Sequence, residues 1–248
     1  MLTVLDVGNT AVTYGTFKKS RLQDHGSCLY NDIPKIINNC ASSGRKSTSH
    51  ILLGSVVPQI THKVKKLAKR HKRLKLWVLG ENLTFQLKHK YKQDKQLGMD
   101  RKVNMAGALL LYKAPFLVID FGTAITFDFV SKKGVFEGGM IIPGPEISFQ
   151  TLIKRAALLP KKARLPKNSA SFLGKTTYDC MTSGILQGYG AMTDGLIERF
   201  KKRFGPLTVI ATGGFASALK PFTRNIQKLD PLHSIQSLGL IARKAGLA

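Results

Sequence analysis

The chain has 248 residues, 43% of them hydrophobic, enough for a substantial core, and this excludes a disordered chain. Its charge is extreme, 39 Lys+Arg against 14 Asp+Glu for a net +25 spread through both halves. That balance favours anionic partners (nucleotides, nucleic acid, an anionic membrane), although a compositional bias of the source organism would give the same numbers. No apolar run approaches the ~20 residues that span a bilayer, and Asp6 stands where a signal peptide needs apolar residues, so a cytoplasmic chain is expected.

In chain order, Leu2–Leu5 reads as a strand, followed through the Gly8-Asn9 turn by a hairpin partner over Ala11–Phe17. Ile33–Cys40 has a weak helical pattern, Ser42–Ser49 reads as a loop, and Ile51–Leu53 as a strand. Ser55-Val56-Val57-Pro58 opens a helix with Ile60, Val64, Leu67 and Ala68 on one face. Leu76–Leu79 is a further strand, and the spacing predicts a helix over 101–113 with Val103, Ala106, Leu109 and Leu110 inward. The second half restarts with a strand at Phe116–Ile119. A hairpin then runs from Ile125–Val130 through Ser131–Gly134 to Val135–Glu137. Gly138–Gly144 reads as a glycine-proline loop, Glu146–Ala157 as a helix, and Lys161–Lys167 as a basic loop. A long helix is predicted over Thr177–Phe204, with Met181, Ile185, Met192, Leu196 and Phe200 inward and Gly184, Gly188 and Gly195 allowing a close neighbour. Leu207–Ile210 is a strand ending in Ala211-Thr212-Gly213-Gly214. The restart predicts two α/β domains, 1–115 and 116–248.

Two of these strands end alike. Leu2–Leu5 runs into Asp6-Val7-Gly8-Asn9-Thr10, and Phe116–Ile119 into Asp120-Phe121-Gly122-Thr123-Ala124. Glycine lets the backbone approach a phosphate, turn amides point at its oxygens, and the aspartate can hold a hydrated cation. One copy would pass as ordinary turn chemistry. Two copies half a chain apart, with a third glycine turn at Thr212–Gly214, point to related domains serving one nucleotide. There is no Walker P-loop and no G-x-G-x-x-G.

Asp100 and Arg101 stand at a helix start. Locally, a helix cap explains Asp100 best; the functional alternative is a general base beside an anion clamp. The basic stretch 59–73 reads as a solvated face, because no aromatic residues interleave with Lys63, Lys65, Lys66, Lys69, Arg70, Lys72 and Arg73. Trp77 is expected in the core. Cys28, Cys40 and Cys180 are odd in number without CxxC spacing, and the six histidines have no ligand spacing, so neither a disulfide framework nor a zinc site is indicated.

Taken together, the motifs form an ordered series: DVGNT with Gly15 behind it, SVVP at 55–58, Tyr91 before Gly98-Met99-Asp100-Arg101, DFGTAITFD at 120–128, GGMIIPG at 138–144, ALLP at 157–160, GKTT at 174–177 with Gly184 after it, ATGG at 211–214 and Leu238-Gly239-Leu240. The series resembles the type III pantothenate kinases, within the actin/hexokinase/heat-shock-70 ATPase superfamily.

The resemblance implies two ribonuclease-H-like domains with ATP in the cleft between them, and ATP-dependent phosphorylation of pantothenate on its terminal hydroxyl, the first step of coenzyme A biosynthesis. Carried over by position, Asp6, Val7, Gly8, Asn9, Thr10, Ala11, Val12 and Thr13 form the first phosphate turn, with Asp6 helping to hold Mg²⁺. Thr123 contacts the ATP phosphates, Asp120 binds an activating monovalent cation (K⁺ or NH₄⁺), and Gly213 and Gly214 line the adenosine side. Asp100 becomes the proton acceptor, with Tyr91, Gly98, Met99 and Arg101 around pantothenate. Thr177 matches a substrate threonine that reaches a neighbouring subunit's site, so a homodimer is expected. Departures are Met99, bulky for its position, the missing proline between Tyr91 and Leu97-Gly98, and Thr176 where asparagine is common. The alternative is a non-catalytic transcription accessory or nucleic-acid-binding relative of this fold. The intact catalytic positions favour the kinase, and sequence-specific nucleic-acid binding is not expected.

Overall fold

The computed structural model describes residues 1–43, 48–155, 164–166 and 171–247. The chain divides into two compact units, Met1–Tyr112 with His233–Ala248, and Lys113–Leu232.

In the first unit β1 (Leu2–Val7), β2 (Val12–Lys18) and β3 (Arg21–Cys28) form an antiparallel meander. After α1 (Ile33–Ser43), β4 (Ser49–Ser55) pairs parallel with β1; after α2 (Pro58–Ala68), β5 (Leu74–Val78) pairs parallel with β4. The sheet order is β3-β2-β1-β4-β5. One face carries Leu5, Val7, Ile51 and Leu53 against Ile33 and Ile37 of α1 and Val64 of α2. The other carries Leu2, Val4 and Leu52 against Val103 of α3 (Met99–Leu111) and Ile235 and Leu238 of the C-terminal helix. Strands apolar on both faces are what a sheet covered by helices on both sides requires.

The second unit repeats this order. β6 (Phe116–Phe121), β7 (Ala124–Val130) and β8 (Phe136–Pro143) form the meander. α4 (Pro145–Arg155) and α5 (Thr177–Phe204) follow, and β9 (Thr208–Thr212) pairs parallel with β6. α6 (Ala216–Leu219) then leads to β10 (Lys228–Leu229), parallel to β9. The sheet order β10-β9-β6-β7-β8 is the first unit's order read from the other edge. Asp6 and Asp120 hold equivalent places, one residue before the end of the central strand. Asp6 lies opposite Thr13 and Gly54, and Asp120 opposite Thr126 and Thr212.

The structure departs from the sequence expectations in several places. α7 (His233–Lys244) belongs to the first unit, not to 116–248. Its Ile235 occupies the space that a side chain on Gly15 would need, and Ser237 stands in the same way against Gly107 of α3. β3 escapes notice because Arg-Leu-Gln-Asp-His-Gly-Ser-Cys is a mostly exposed edge strand with no apolar alternation. Residues 138–143 continue β8 instead of forming a loop; Gly139 lies opposite Asp128 and Ile142 opposite Ile125. In α3, Leu110 faces solvent while Asn104, Met105 and Ala108 are buried. The buried line of α5 runs through Thr182, Leu186, Gly190, Thr193, Ile197 and Phe200, so the expected Met181, Ile185, Met192 and Leu196 flank it half-buried. Trp77 is half-buried, its indole Nε1 donating to Nδ1 of His50 at 3.1 Å. Ala157, the ALLP series at 157–160 and most of the basic loop 161–167 lie outside the described residues, as does the centre of the serine-rich stretch. Of the basic stretch, Lys66, Lys69, Arg70, Lys72 and Arg73 are exposed, and Lys65 pairs with Glu81.

Candidate active site

In the first unit, β1 delivers Asp6 to the end of the sheet's central strand and the chain reverses at once. The Gly8 amide donates to the Ala11 carbonyl at 3.1 Å, the Tyr30 hydroxyl to the Gly8 carbonyl at 2.6 Å, and the Val56 amide to the Val7 carbonyl at 3.1 Å. Asn9 and Thr10 are exposed at the tip, Ala11 and Thr13 are half-buried, and Val7 and Val12 are core. Burial pushes the Asp6 carboxyl up from 3.8 to about 6; a hydrogen bond from Ser234 opposes this and the nearby Asp100 charge adds to it. Ser234, at the start of α7, was missed by the sequence reading because it arrives from the far end of the chain.

Asp100 and Arg101 open α3. Gly98 is the N-cap residue, so Asp100 occupies the second helical position; the expected role of Asp100 as the cap is corrected accordingly. Its Oδ1 accepts the Arg101 amide at 2.8 Å, and the side chain is exposed. A carboxylate in the first turn sits well with the positive end of the helix dipole. A Cβ on Gly98 would meet Asp100 Oδ1 at 2.5 Å, so a side chain there would push the carboxylate aside. Arg101 is only 6% exposed; its Nη1 donates to the Tyr91 hydroxyl at 3.1 Å, with the guanidinium carbon 5.5 Å from the ring centroid. Met99 packs against the apolar cluster of Leu79, Val103 and Ile235 and crowds Gly80, which accounts for its bulk.

The second unit presents the parallel arrangement around Asp120. The Gly122 amide donates to the Ala124 carbonyl at 3.2 Å and the Gly144 amide to the Thr123 carbonyl at 2.9 Å, a turn tighter than the first, with Thr123 exposed. Gly213 has φ +93° and lies so close to Asp120 Oδ1 and the Phe121 backbone that no side chain fits. Gly214 beside it is exposed. Asp128, read only as the end of a motif, is 1% exposed and accepts from the Thr126 hydroxyl at 3.0 Å. Thr177 is the exposed first residue of α5, capped by Thr176, whose Oγ1 accepts the Asp179 amide at 3.1 Å.

The donor sets fit the ions that the resemblance implies. Among the described residues no group of three or more His, Cys, Asp or Glu side chains is placed to hold a metal. Mg²⁺ commonly rests on one or two carboxylates plus phosphate oxygens, and Asp6, with Asp100 within electrostatic reach, offers carboxylates of that kind. Asp120 sits in a cradle that a Cβ on Gly213 would fill.

A family profile for type III pantothenate kinase matches residues 2–199. A type III pantothenate kinase from Syntrophus aciditrophicus is 33% identical over 98% of this chain and 99% of its own. By structure, the chain is similar to a provisional 2-dehydro-3-deoxygalactonokinase from Sinorhizobium meliloti (TM-score 0.61, 12% identity, 99% of both chains). It is also similar to a protein from Campylobacter jejuni provisionally described as a Baf family transcriptional activator (TM-score 0.58, 17% identity, 99% of this chain and 100% of that one). At such identities both likenesses establish the fold of actin-like ATPases and sugar kinases and nothing about activity. By the profile and the full-length identity, the chain belongs to the type III pantothenate kinases.

Proposed function

We propose that this kinase transfers the γ-phosphoryl group of ATP to the terminal hydroxyl of pantothenate, with Asp100 as proton acceptor. The observation that carries this reading is the placement of Asp100 and Arg101 on consecutive residues of the first turn of α3, the carboxylate exposed and the guanidinium held by Tyr91. Phosphoryl transfer is mostly positioning and charge stabilisation. The hydroxyl oxygen bonds to the γ-phosphorus, the bond to the departing ADP oxygen breaks, and the hydroxyl proton passes to Asp100. Arg101 holds the acceptor's carboxylate by charge-assisted hydrogen bonds, in a setting shaped by Tyr91, Gly98 and Met99. The turns at Asp6–Thr13 and at Thr123 hold the phosphates through backbone amides and hydroxyls, and Gly213 and Gly214 leave the adenosine side open.

Mg²⁺ at Asp6 and K⁺ or NH₄⁺ at Asp120 would supply positive charge to offset the phosphate oxygens. We further infer a homodimer in which Thr177 serves the partner's acceptor site. In support, α5 presents Thr177, Cys180, Gly184, Gly188, Ala191 and Gly195 on one exposed face, with open space over the three glycines. The same unit exposes Phe172 and Leu173, each at 75%. The transcription-factor alternative is not favoured, because its structural counterpart shares the fold alone. Among the described residues no helix is long and apolar enough to cross a membrane. An assay coupling ADP release to pantothenate addition tests the reading: pantothenate-dependent turnover supports it, and ATP hydrolysis indifferent to pantothenate counts against it.

A further inference from the structure

The segment between β5 and α3 is a strap, extended over residues 84–93 and ending in a single 3-10 turn at Asp94–Gln96, and its fastening is unlike that of the rest of the unit. One end is held by apolar packing, Leu83 and Phe85 against the cluster of Leu79 and Val103, and the other by buried Leu97. Between these anchors exposed and half-buried residues alternate, so that Lys88, Lys90 and Lys92 face water while Leu87, His89 and Tyr91 turn inward. Here the strap is fastened by polar contacts. Asp94 Oδ1 accepts two bonds, from Lys102 Nζ on α3 at 2.6 Å and from His89 Nε2 at 2.9 Å. His89 in turn accepts the Tyr91 amide on Nδ1 at 3.2 Å. An imidazole that accepts on Nδ1 carries its proton on Nε2, which is the hydrogen aimed at Asp94. The chain of contacts therefore runs from Lys102 through Asp94 and His89 to the backbone of Tyr91, whose phenol meets Arg101.

We propose that Asp94 is a positioning residue for acceptor binding: by bridging Lys102 and His89 it fixes Tyr91, and through Tyr91 the orientation of the Arg101 guanidinium. This rests on the reading of Arg101 as the clamp for the acceptor's carboxylate. Asp94 touches neither acceptor nor phosphate in that reading, so its influence falls on acceptor affinity and not on the chemical step. The Lys102 ammonium, with His89 adding, holds the Asp94 carboxyl below its ordinary value, consistent with an ionised bridge. The Asp94 side chain is 63% exposed, against 18% for His89 and 16% for Lys102. An exposed pair of this kind contributes little to global stability, so Asp94 can be replaced without endangering the fold.

The test is steady-state kinetics on full-length wild type, Asp94→Ala, Asp94→Asn, Tyr91→Phe and the double variant Asp94→Ala/Tyr91→Phe, with each substrate varied at saturating levels of the other. Asp94→Ala should raise KM for pantothenate roughly three- to tenfold, leaving kcat and KM for ATP nearly unchanged. Asp94→Asn, which keeps one carbonyl acceptor, should recover part of the loss. In the Tyr91→Phe background Asp94→Ala should add much less than its separate effect, because the two act along one path. An unchanged pantothenate KM, an equal effect on both substrates, or full multiplication in the double variant would each overturn the proposal. Should Asp94→Ala fail to fold, Lys102→Met removes the same bridge from the other side and must give the same pattern. A wild-type enzyme without pantothenate-dependent turnover would instead defeat the reading of the acceptor.

Discussion

Asp6 and Asp100 lie within electrostatic reach of one another in the first unit, one at the end of the central strand and the other in the first turn of α3. Burial is the larger reason that Asp6 holds its proton up to about pH 6, with Asp100 reinforcing it. The native form therefore binds the proton more tightly than the unfolded chain, so this group destabilises the fold as pH rises from about 4 to about 6 and does so fully above that. The full shift corresponds to roughly 3 kcal/mol, a ceiling for a half-buried residue.

The first prediction follows from that sign. Without nucleotide or divalent ion, Asp6→Asn should melt higher than wild type at pH 8, and the gap should close below about pH 4. Phosphorylation should be lost, since the neutral amide no longer supplies a carboxylate to a cation. Thermal melts across this range check it; a variant that melts lower at pH 8, or a gap independent of pH, contradicts it.

The second concerns Asp120. Replacing K⁺ by Na⁺ should depress turnover, and Asp120→Ala should remove the difference between the salts. Gly213→Ala should do likewise and also destabilise the protein by more than about 1 kcal/mol, because the new side chain meets both a left-handed backbone and the Asp120 carboxylate. Equal wild-type rates in the two salts would remove the monovalent ion from the account.

A third prediction tests the shared site. Inactive Asp100 and Thr177 variants, mixed under conditions of verified subunit exchange, should regain turnover through hybrid dimers. No recovery would mean that each chain builds its own site.

Much of this architecture was legible in the sequence where local chemistry and burial agree. Asp6 and Asp120 announced themselves because an apolar strand, a carboxylate and a glycine turn adjoin in each case, and the repeated sheet order bears out the duplicated α/β plan. α5 was legible from end to end, Thr177–Phe204, although its buried face was displaced toward the methionines because Thr182, Gly190 and Thr193 carry no hydrophobic signal. β3 was hidden because an exposed edge strand is held by backbone bonds to β2 and needs no apolar side chains. Ile235, Leu238, Ile241 and Ala242 lie at helical spacing, but nothing local says that α7 covers the first sheet and not the second. Ser234 and the Asp94–His89–Lys102 bridge were out of reach for the same reason: their partners are neighbours only in space.

The most direct test of the central claim is the turnover of Asp100→Asn. Asparagine preserves the shape and can still accept the Arg101 amide, so the helix should lose only its charge–dipole contribution, about 0.3–1 kcal/mol. It cannot take the hydroxyl proton, a contribution of ~10²–10⁴ in rate. The account predicts melting close to wild type, unaltered ATP binding, and pantothenate phosphorylation reduced at least about a hundredfold. A variant that melts far lower yet keeps its turnover would make Asp100 a structural residue and leave the reaction without its base.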